Sequence, residues 1–307
     1  MSSSMTITVP ASTANLGPGF DSIGLALSKY LNIQASVGDH WQFEHISPEL
    51  KDLPNDESHF ICQIAKKTAE MFKAAIPPLT IKMESNIPLA RGLGSSAAAV
   101  AAAIELANQF CGLSLSSEEK LQIGTRMEGH PDNIGASIYG GLVIGVFDGV
   151  ETKLVHISSL DVDIVAVIPS YELKTEEARK ALPNVFERKK AVQASALSNV
   201  FLAALLTGDY ELAGNVMEKD LFHEPYRIHL IDHFVEMRKC ARENGAFGTA
   251  ISGAGPAVLS FAEKGKGEKL AKSLQAQFLD CEIELLSVDQ NGIQVSESTI
   301  HKDRLRS

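Results

Sequence analysis

Two glycines, Gly92 and Gly94, stand between a strand pattern and a long alanine-rich run, and this junction restricts the fold more than any other segment. Leu79-Thr-Ile-Lys-Met83 alternates apolar and polar residues, and Asn86-Ile-Pro88 closes it. From Ser95 to Cys111-Gly112 the composition predicts a helix with a glycine stop. Seven alanines between Ala97 and Ala107 predict that another element packs very close to that helix. A turn stripped of side chains and feeding a helix turns unpaired N–H groups, and the positive end of the helix dipole, towards an anion. A hydroxyl from Ser95 or Ser96 suits Mg²⁺, the oxygen-seeking ion that accompanies ATP. The same spacing also fits a plain tight turn with a serine cap and a core helix. Neither G-x-x-x-x-G-K-[ST] nor the third glycine of G-x-G-x-x-G is present.

The 307 residues suffice for two domains of ordinary size or one large one. At 45% hydrophobic and 21% charged, they can build a packed core and carry no signature of disorder. The formal net charge of −10 repels nucleic acid and anionic lipid, so an anionic ligand must be captured by local donors. The near-continuous apolar stretch from Ala97 to Ala107, broken by Glu105, is too short to span a bilayer. Met1-Ser-Ser-Ser-Met5 lacks the basic flank and apolar segment of a secretory signal and is expected to fray. Cys62, Cys111, Cys240 and Cys281 form no C-x-x-C pair, which disfavours a disulfide framework or zinc ribbon and fits reduced thiols in a cytosol.

Strand-like Thr6-Ile-Thr-Val-Pro10 runs into a glycine-rich segment, Asn15-Leu-Gly-Pro-Gly-Phe-Asp21. Ser116-Ser-Glu-Glu-Lys carries a capping pattern, and Asp148-Gly149 predicts a hairpin between Tyr139 to Phe147 and Val150 to Ile157. Val162 to Ile168 reads as a buried strand, and roughly Ala191 to Leu206 and Ile228 to Asn244 as helices. A third glycine segment, Gly245 to Pro256, leads into the strand Ala257 to Phe261. An amphipathic helix over Gly265 to Phe278 and a last strand over Glu282 to Val288 follow. This irregular alternation predicts an α+β protein rather than a doubly wound sheet, with a domain boundary near residues 155–160.

Read as one string, Pro88, Leu89, Ala90, Arg91, Gly92, Leu93, Gly94, Ser95, Ser96, Ala97 and Ala98 closely resemble the phosphate loop of the GHMP kinases. Pro10-Ala-Ser-Thr-Ala-Asn-Leu-Gly-Pro-Gly-Phe-Asp-Ser-Ile-Gly24 resembles the N-terminal motif of that family, and Ala250-Ile-Ser-Gly-Ala-Gly-Pro-Ala-Val258 its C-terminal glycine motif. The three occur in the family's order and cover the chain from Pro10 to Phe261. The resemblance implies a two-domain GHMP kinase-like fold. The first domain, over 1–155, would be of the ribosomal protein S5 domain 2-like type and carry the phosphate loop. The second, over 156–307, would be a ferredoxin-like sheet with helices on one face, contributing to the substrate site. The implied activity is phosphoryl transfer from ATP to an alcohol, with ATP on residues 88–98 and Mg²⁺ on Ser96 and Glu128.

Over its full length the chain is most similar to the family's homoserine-phosphorylating branch. L-Homoserine is a zwitterion, so its site needs an anion for the ammonium and a cation for the carboxylate. Asn15 and Asp21 are expected at the ammonium, and Arg179 and Arg227 at the carboxylate. Asn133, in Glu128-Gly-His-Pro-Asp-Asn133, is expected at the reacting hydroxyl, acting with Glu128 and Ser96 in catalysis. Mevalonate kinase-like members carry an aspartate where Asn133 stands. That departure disfavours a mevalonate-like site and leaves the proton acceptor open, since a loose transition state rests on positioning and electrostatics. His130 is expected to support the cluster by hydrogen bonding. His229 and His233, spaced i, i+4 beside Asp232, lack the H-E-x-x-H arrangement, which argues against zinc. Two alternatives stay open: a GHMP kinase for mevalonate or a sugar, and a non-catalytic sensor of ATP and a metabolite, against which the presence of Ser96 and Glu128 counts. The expected partners are L-homoserine and ATP, without nucleic acid or membrane, in the cytoplasm, and a homodimer is compatible with the sequence.

Overall fold

The computed structural model describes residues 3–299. The first half runs β1 (Ser3–Asn15), β2 (Gly19–Val37), β3 (Gln42–His45), α1 (Phe60–Met71), β4 (Leu79–Ser85), α2 (Ser95–Cys111), α3 (Ser117–Glu128), α4 (Asp132–Tyr139), β5 (Leu142–Phe147) and β6 (Thr152–Ile157). The second continues with β7 (Val162–Pro169), α5 (Thr175–Lys180), α6 (Arg188–Thr207), α7 (Tyr210–Met217), α8 (Glu224–Arg227) and α9 (Phe234–Glu243). It closes with β8 (Gly248–Ile251), β9 (Val258–Glu263), α10 (Gly267–Gln277), β10 (Cys281–Leu286) and β11 (Gln294–Thr299).

Alternation builds the first sheet. Ile7, Val9 and Ala11 of β1, and Leu79 and Ile81 of β4, are fully buried on its inner face. The strand order is β11-β1-β2-β4-β3, with β5 on β2 and β6 on β5, and the β3–β4 pair is parallel. Ser3 to Met5, expected to fray, instead extend β1, because β11 pairs along them with Ser3 opposite Thr299. Met1 and Ser2 lie outside the described residues. The alanines of α2 do what close packing demands: Ala97, Ala98, Ala101, Ala102, Ala103 and Ala107 are buried, and the helix lies against α1, α3, α4 and β1. The capping box of α3 forms between Ser116 and Glu119. Asp148 holds the β5–β6 hairpin by accepting from the N–H groups of Val150 and Glu151.

The second sheet is antiparallel in the order β10-β7-β9-β8, with α10 between β9 and β10, which is the ferredoxin-like arrangement. All eight residues of β7 are buried, because helices cover both faces and not one as expected. Val165 and Val167 meet Phe234, Met237, Leu270 and Leu274 of α9 and α10. Ile164, Ala166 and Ile168 join a core shared with the first sheet and with Phe201 and Met217 of α6 and α7. By length and a mean hydropathy of 1.2, α6 could cross a bilayer, yet Phe201, Ala204 and Leu205 seat one of its faces in that shared core.

The helix expected from Ile228 to Asn244 is broken. Ile228–Leu230 is a 3-10 turn, His233 takes a left-handed φ of 58°, and α9 starts at Phe234. His229 and His233 therefore do not share a helix face. The chain leaves the first sheet after Ile157, enters the second at Val162, and then returns. The described part of the second expected domain, 156–299, does not stay together, since β11 supplies the partner that the outer edge of β1 requires.

Lys29 of β2 ties the two sheets. It is 5% exposed, and its Nζ lies 2.6 Å from both carboxylate oxygens of Glu284 in β10. Breaking a buried pair costs more than breaking a surface pair, because one charge is left behind. Lys29→Ala is expected to lower the unfolding free energy by about 2 kcal/mol, between those two regimes. Urea denaturation measures this, and a loss below about 0.5 kcal/mol would mark the pair as solvated.

Candidate active site

A cleft opens where the two sheets meet, at the start of α2. Of the eleven residues of the glycine–serine string, Ala90, Gly92, Gly94, Ser95, Ser96 and Ala97 line it. Leu93 and Ala98 are buried in the core, and Leu89 lines a neighbouring pocket. Arg91 points to the protein instead: Nε donates to Pro169 O (3.1 Å), Nη1 to Leu89 O (3.0 Å) and Nη2 to Ser170 O (2.6 Å). The first backbone bond of α2 runs from Ala98 N–H to Gly94 O at 2.9 Å, which leaves the N–H groups of Ser95, Ser96 and Ala97 outside the helical ladder.

The two glycines are needed for a reason the sequence pattern did not show. Both have positive φ, 81° at Gly92 and 70° at Gly94. A Cβ on Gly92 would overlap the Ser252 carbonyl oxygen, and one on Gly94 would overlap Ser12 Oγ. They make room for neighbouring protein, while the anion-facing surface comes from the helix start. The third glycine segment takes the same role from the other side. Ser252 Oγ donates to Gly92 O (2.7 Å), and Gly253 N–H donates to Ala14 O (3.2 Å).

Opposite α2, Glu128 ends α3, and its Oε1 accepts from Ser96 Oγ at 3.1 Å. Burial raises the Glu128 carboxyl above its usual range, with His130 and the Ser96 hydroxyl offsetting part of the effect. His130 Nδ1 sits 2.5 Å from Asp132 Oδ1, so the expected supporting hydrogen bond is present. Burial alone would lower the His130 pKa, but the bond and charge of Asp132, with Asp21 beyond, leave it raised. Asn133, in the first turn of α4, accepts from Ser12 Oγ through Oδ1 at 3.0 Å. Its amide nitrogen donates to Asp132 Oδ1 at 3.4 Å, a longer bond that leaves the second amide hydrogen to offer.

The residues expected to hold the two ends of a zwitterion all line the cleft, but in other pairings. Asp21 and Arg179, expected at opposite ends, bond to each other through a two-pronged fork: Nη1 to Oδ2 at 3.2 Å and Nη2 to Oδ1 at 2.8 Å. Asn15 is turned to structure, its Oδ1 accepting from Asp21 N–H and its Nδ2 donating to Gly253 O. Arg227 differs from Arg179. It is 2% exposed and donates to the carbonyls of Ala178 and Gly253, and no carboxylate lies within 4.0 Å of its guanidinium among the described residues. Burial, then the like charge of Arg179, lowers its pKa to about 10.

Phe20, Asp132, Thr175 and Ala254 also line the cleft without having been singled out, although Phe20, Asp132 and Ala254 lie inside strings already noted. Nothing in the sequence marked a second pocket on the other side of Ser95 and Ser96. Leu50, Leu53, His59, Phe60, Ile87 and Leu89 line it, drawn from separate elements. His59 stacks on Phe43 with ring centroids 3.9 Å apart, and its Nδ1 accepts from Ile61 N–H to cap α1. Burial, helped by His45, lowers the His59 pKa to about 4.

The family model for the GHMP kinases N-terminal domain matches residues 59–141, and that for the GHMP kinases C-terminal domain matches 201–280. The chain belongs to the GHMP kinase family, whose members are ATP-dependent small-molecule kinases. A homoserine kinase of Bacillus licheniformis is 50% identical over 96% of both chains. One of Staphylococcus saprophyticus is 49% identical over 95% of this chain and 97% of its own. The crystal structure of homoserine kinase from Cytophaga hutchinsonii superposes with a TM-score of 0.84 at 26% identity, over 95% of this chain and 97% of that one.

Two outcomes follow from this geometry. Gly94→Ala should cost about 2–4 kcal/mol in urea unfolding, from left-handed strain plus overlap with Ser12. Adding Ser12→Gly should return part of that loss, and no recovery would place the clash elsewhere. His59 titrates lower in the folded chain than when free, so between about pH 6.5 and 4 the unfolded chain binds more protons and stability falls as pH drops. His59→Gln should remove about 2 kcal/mol of that acid-side loss, and identical pH profiles for both proteins would refute the assignment.

Proposed function

We propose that this chain is a homoserine kinase, transferring the γ-phosphoryl group of ATP to the side-chain hydroxyl of L-homoserine to give O-phospho-L-homoserine, a step towards threonine. The near-half identity to proteins of that name supports the substrate. Arg227 is the observation in the cleft that carries it: a buried guanidinium with no carboxylate partner is a site for a substrate anion.

The apolar pocket suits the nucleotide base, and the N–H groups that begin α2 suit its phosphates. Ser96 and Glu128 would hold Mg²⁺. A desolvated carboxylate beside a hydroxyl at the phosphate end of the cleft fits a hard cation better than Asp21, His130 and Asp132, which are already engaged with Arg179 and with one another. The metal would neutralise charge on the phosphate oxygens.

Homoserine would then lie across the cleft with its carboxylate on Arg227 and its ammonium on Asp21. The Asp21–Arg179 pair is about one-third exposed on both sides, where such pairs contribute only about 0–1 kcal/mol. A zwitterion can therefore exchange partners with it, its ammonium displacing Arg179 from Asp21 and its carboxylate taking Arg179 along with Arg227. Asn133 would orient the hydroxyl through its amide nitrogen. An amide is no base, and positioning suffices where the transition state is loose. We take the chain to work in the cytosol. We also divide it between Ile157 and Val162, giving the last strand to the first unit.

An ADP-release assay over homoserine, mevalonate, galactose, serine and threonine tests the substrate, and preference for any of the others would overturn it. Ionic hydrogen bonds are worth about 1.5–3 kcal/mol, so Arg227→Ala should lower kcat/KM for homoserine by roughly 10- to 150-fold with little change in the KM for ATP. Arg227→Lys should recover only part, since an ammonium cannot fork onto two oxygens.

A further inference from the structure

Behind the cleft, fully buried and outside every role assigned so far, lies His223. Its Nε2 is 2.9 Å from the carbonyl oxygen of Gly17. A carbonyl has no proton to give, so Nε2 carries the hydrogen and Nδ1 keeps its lone pair. That lone pair faces Nη1 of Arg227 at 3.4 Å. One face of the ring stacks on Phe20, with centroids 5.4 Å apart and planes 21° from parallel. The Arg227 guanidinium sits over the same phenyl ring at 5.4 Å. The backbone of His223 is held as firmly as its side chain, since Asp220 Oδ2 accepts from the N–H groups of both His223 and Glu224 at 2.8 Å.

This imidazole touches both ends of the cleft. Gly17 lies in the turn before β2 and Phe20 at the start of that strand beside Asp21, whereas Arg227 comes from α8 some two hundred residues later. We infer that His223 is a positioning residue: a single imidazole sets the distance between the ammonium-binding start of β2 and the carboxylate-binding guanidinium, and so tunes the cleft to the span of an α-amino acid. Two separate edges are needed, a donor towards Gly17 and an acceptor towards Arg227. A flexible side chain of similar polarity would supply one without fixing the other.

This inference rests on the reading of Arg227 as the carboxylate site, and a double-mutant cycle separates the two. Homoserine and ATP kinetics are measured for wild type, His223→Ala, Arg227→Ala and the double variant, with His223→Gln, which keeps a donor at the Nε2 end, and His223→Asn beside them. His223→Ala should raise the KM for homoserine about 10-fold while the KM for ATP moves less than about 2-fold. His223→Gln should recover part of this and His223→Asn less. In the Arg227→Ala background, His223→Ala should add little, because the group it positions is gone. If Arg227→Ala itself leaves homoserine kinetics intact, the carboxylate reading fails. If Arg227→Ala is damaging but the two losses simply add, or if His223→Ala moves both KM values alike, His223 is only a packing residue. Should His223→Ala fail to fold, equal homoserine KM values in the glutamine variant, the asparagine variant and wild type would overturn the inference by themselves.

Discussion

Where Gly92 meets Ser252, two main chains lie too close for any side chain to stand between them. One belongs to the loop that opens α2, the other to the bend that follows β8. A hydrogen bond from Ser252 Oγ to Gly92 O, and another from Gly253 N–H to Ala14 O, stitch both to the end of β1. Three distant stretches of chain are thereby referenced to one another, through a close main-chain approach, one backbone–backbone bond and one short serine side chain. The start of α2, the start of β2 bearing Asp21 and the wall bearing Arg227 inherit their relative positions from this contact. Arg91 extends it, spending its guanidinium on the carbonyls that close β7.

The cleft sets opposite charges side by side, Arg179 and Arg227 against the carboxyl groups of Asp21, Glu128 and Asp132. A chain of net charge −10 concentrates two guanidiniums and a helix N-terminus in one small volume. Because Arg227 is buried, its charge is poorly screened and its field is felt mainly by whatever enters beside it. Asp21 moderates that field by pairing with Arg179, the more exposed and so the more easily released of the two cations. The cleft thus holds a strong, fixed cation and a weak, exchangeable ion pair side by side, a combination that treats the two ends of a zwitterion differently.

Much of this was legible in advance, and the reasons differ by element. The alanine run, the Asp148-Gly149 turn and the capping box at Ser116 are local signals, and each appears where local chemistry placed it. The strings around Gly92, Gly94 and Gly253 marked the cleft because several residues at fixed spacing carry more information than any one of them. What escaped was long-range. The fork between Asp21 and Arg179 spans 158 positions, and only folding could show that two groups assigned to a ligand hold each other. The helix through Ile228 to Asn244 failed at His233, where a left-handed residue breaks a pattern whose periodicity alone looked continuous. The pocket around His59 left no trace, since apolar residues lining a hollow read like apolar residues filling one.

The pairing of Ser3 with Thr299 has a bearing on how the molecule is made. A ribosome releases β1 long before β11, so one long edge of the first sheet waits open while every element between them is synthesised. At roughly 5–20 residues per second that wait lasts on the order of tens of seconds, far longer than a hairpin such as β1–β2 needs to form. During it, an edge backed by Ile7 and Val9 offers unpaired N–H and C=O groups to any passing strand. Nascent copies on one messenger stand close enough to find each other, so the pairing with β11 also removes the edge at which two copies could join.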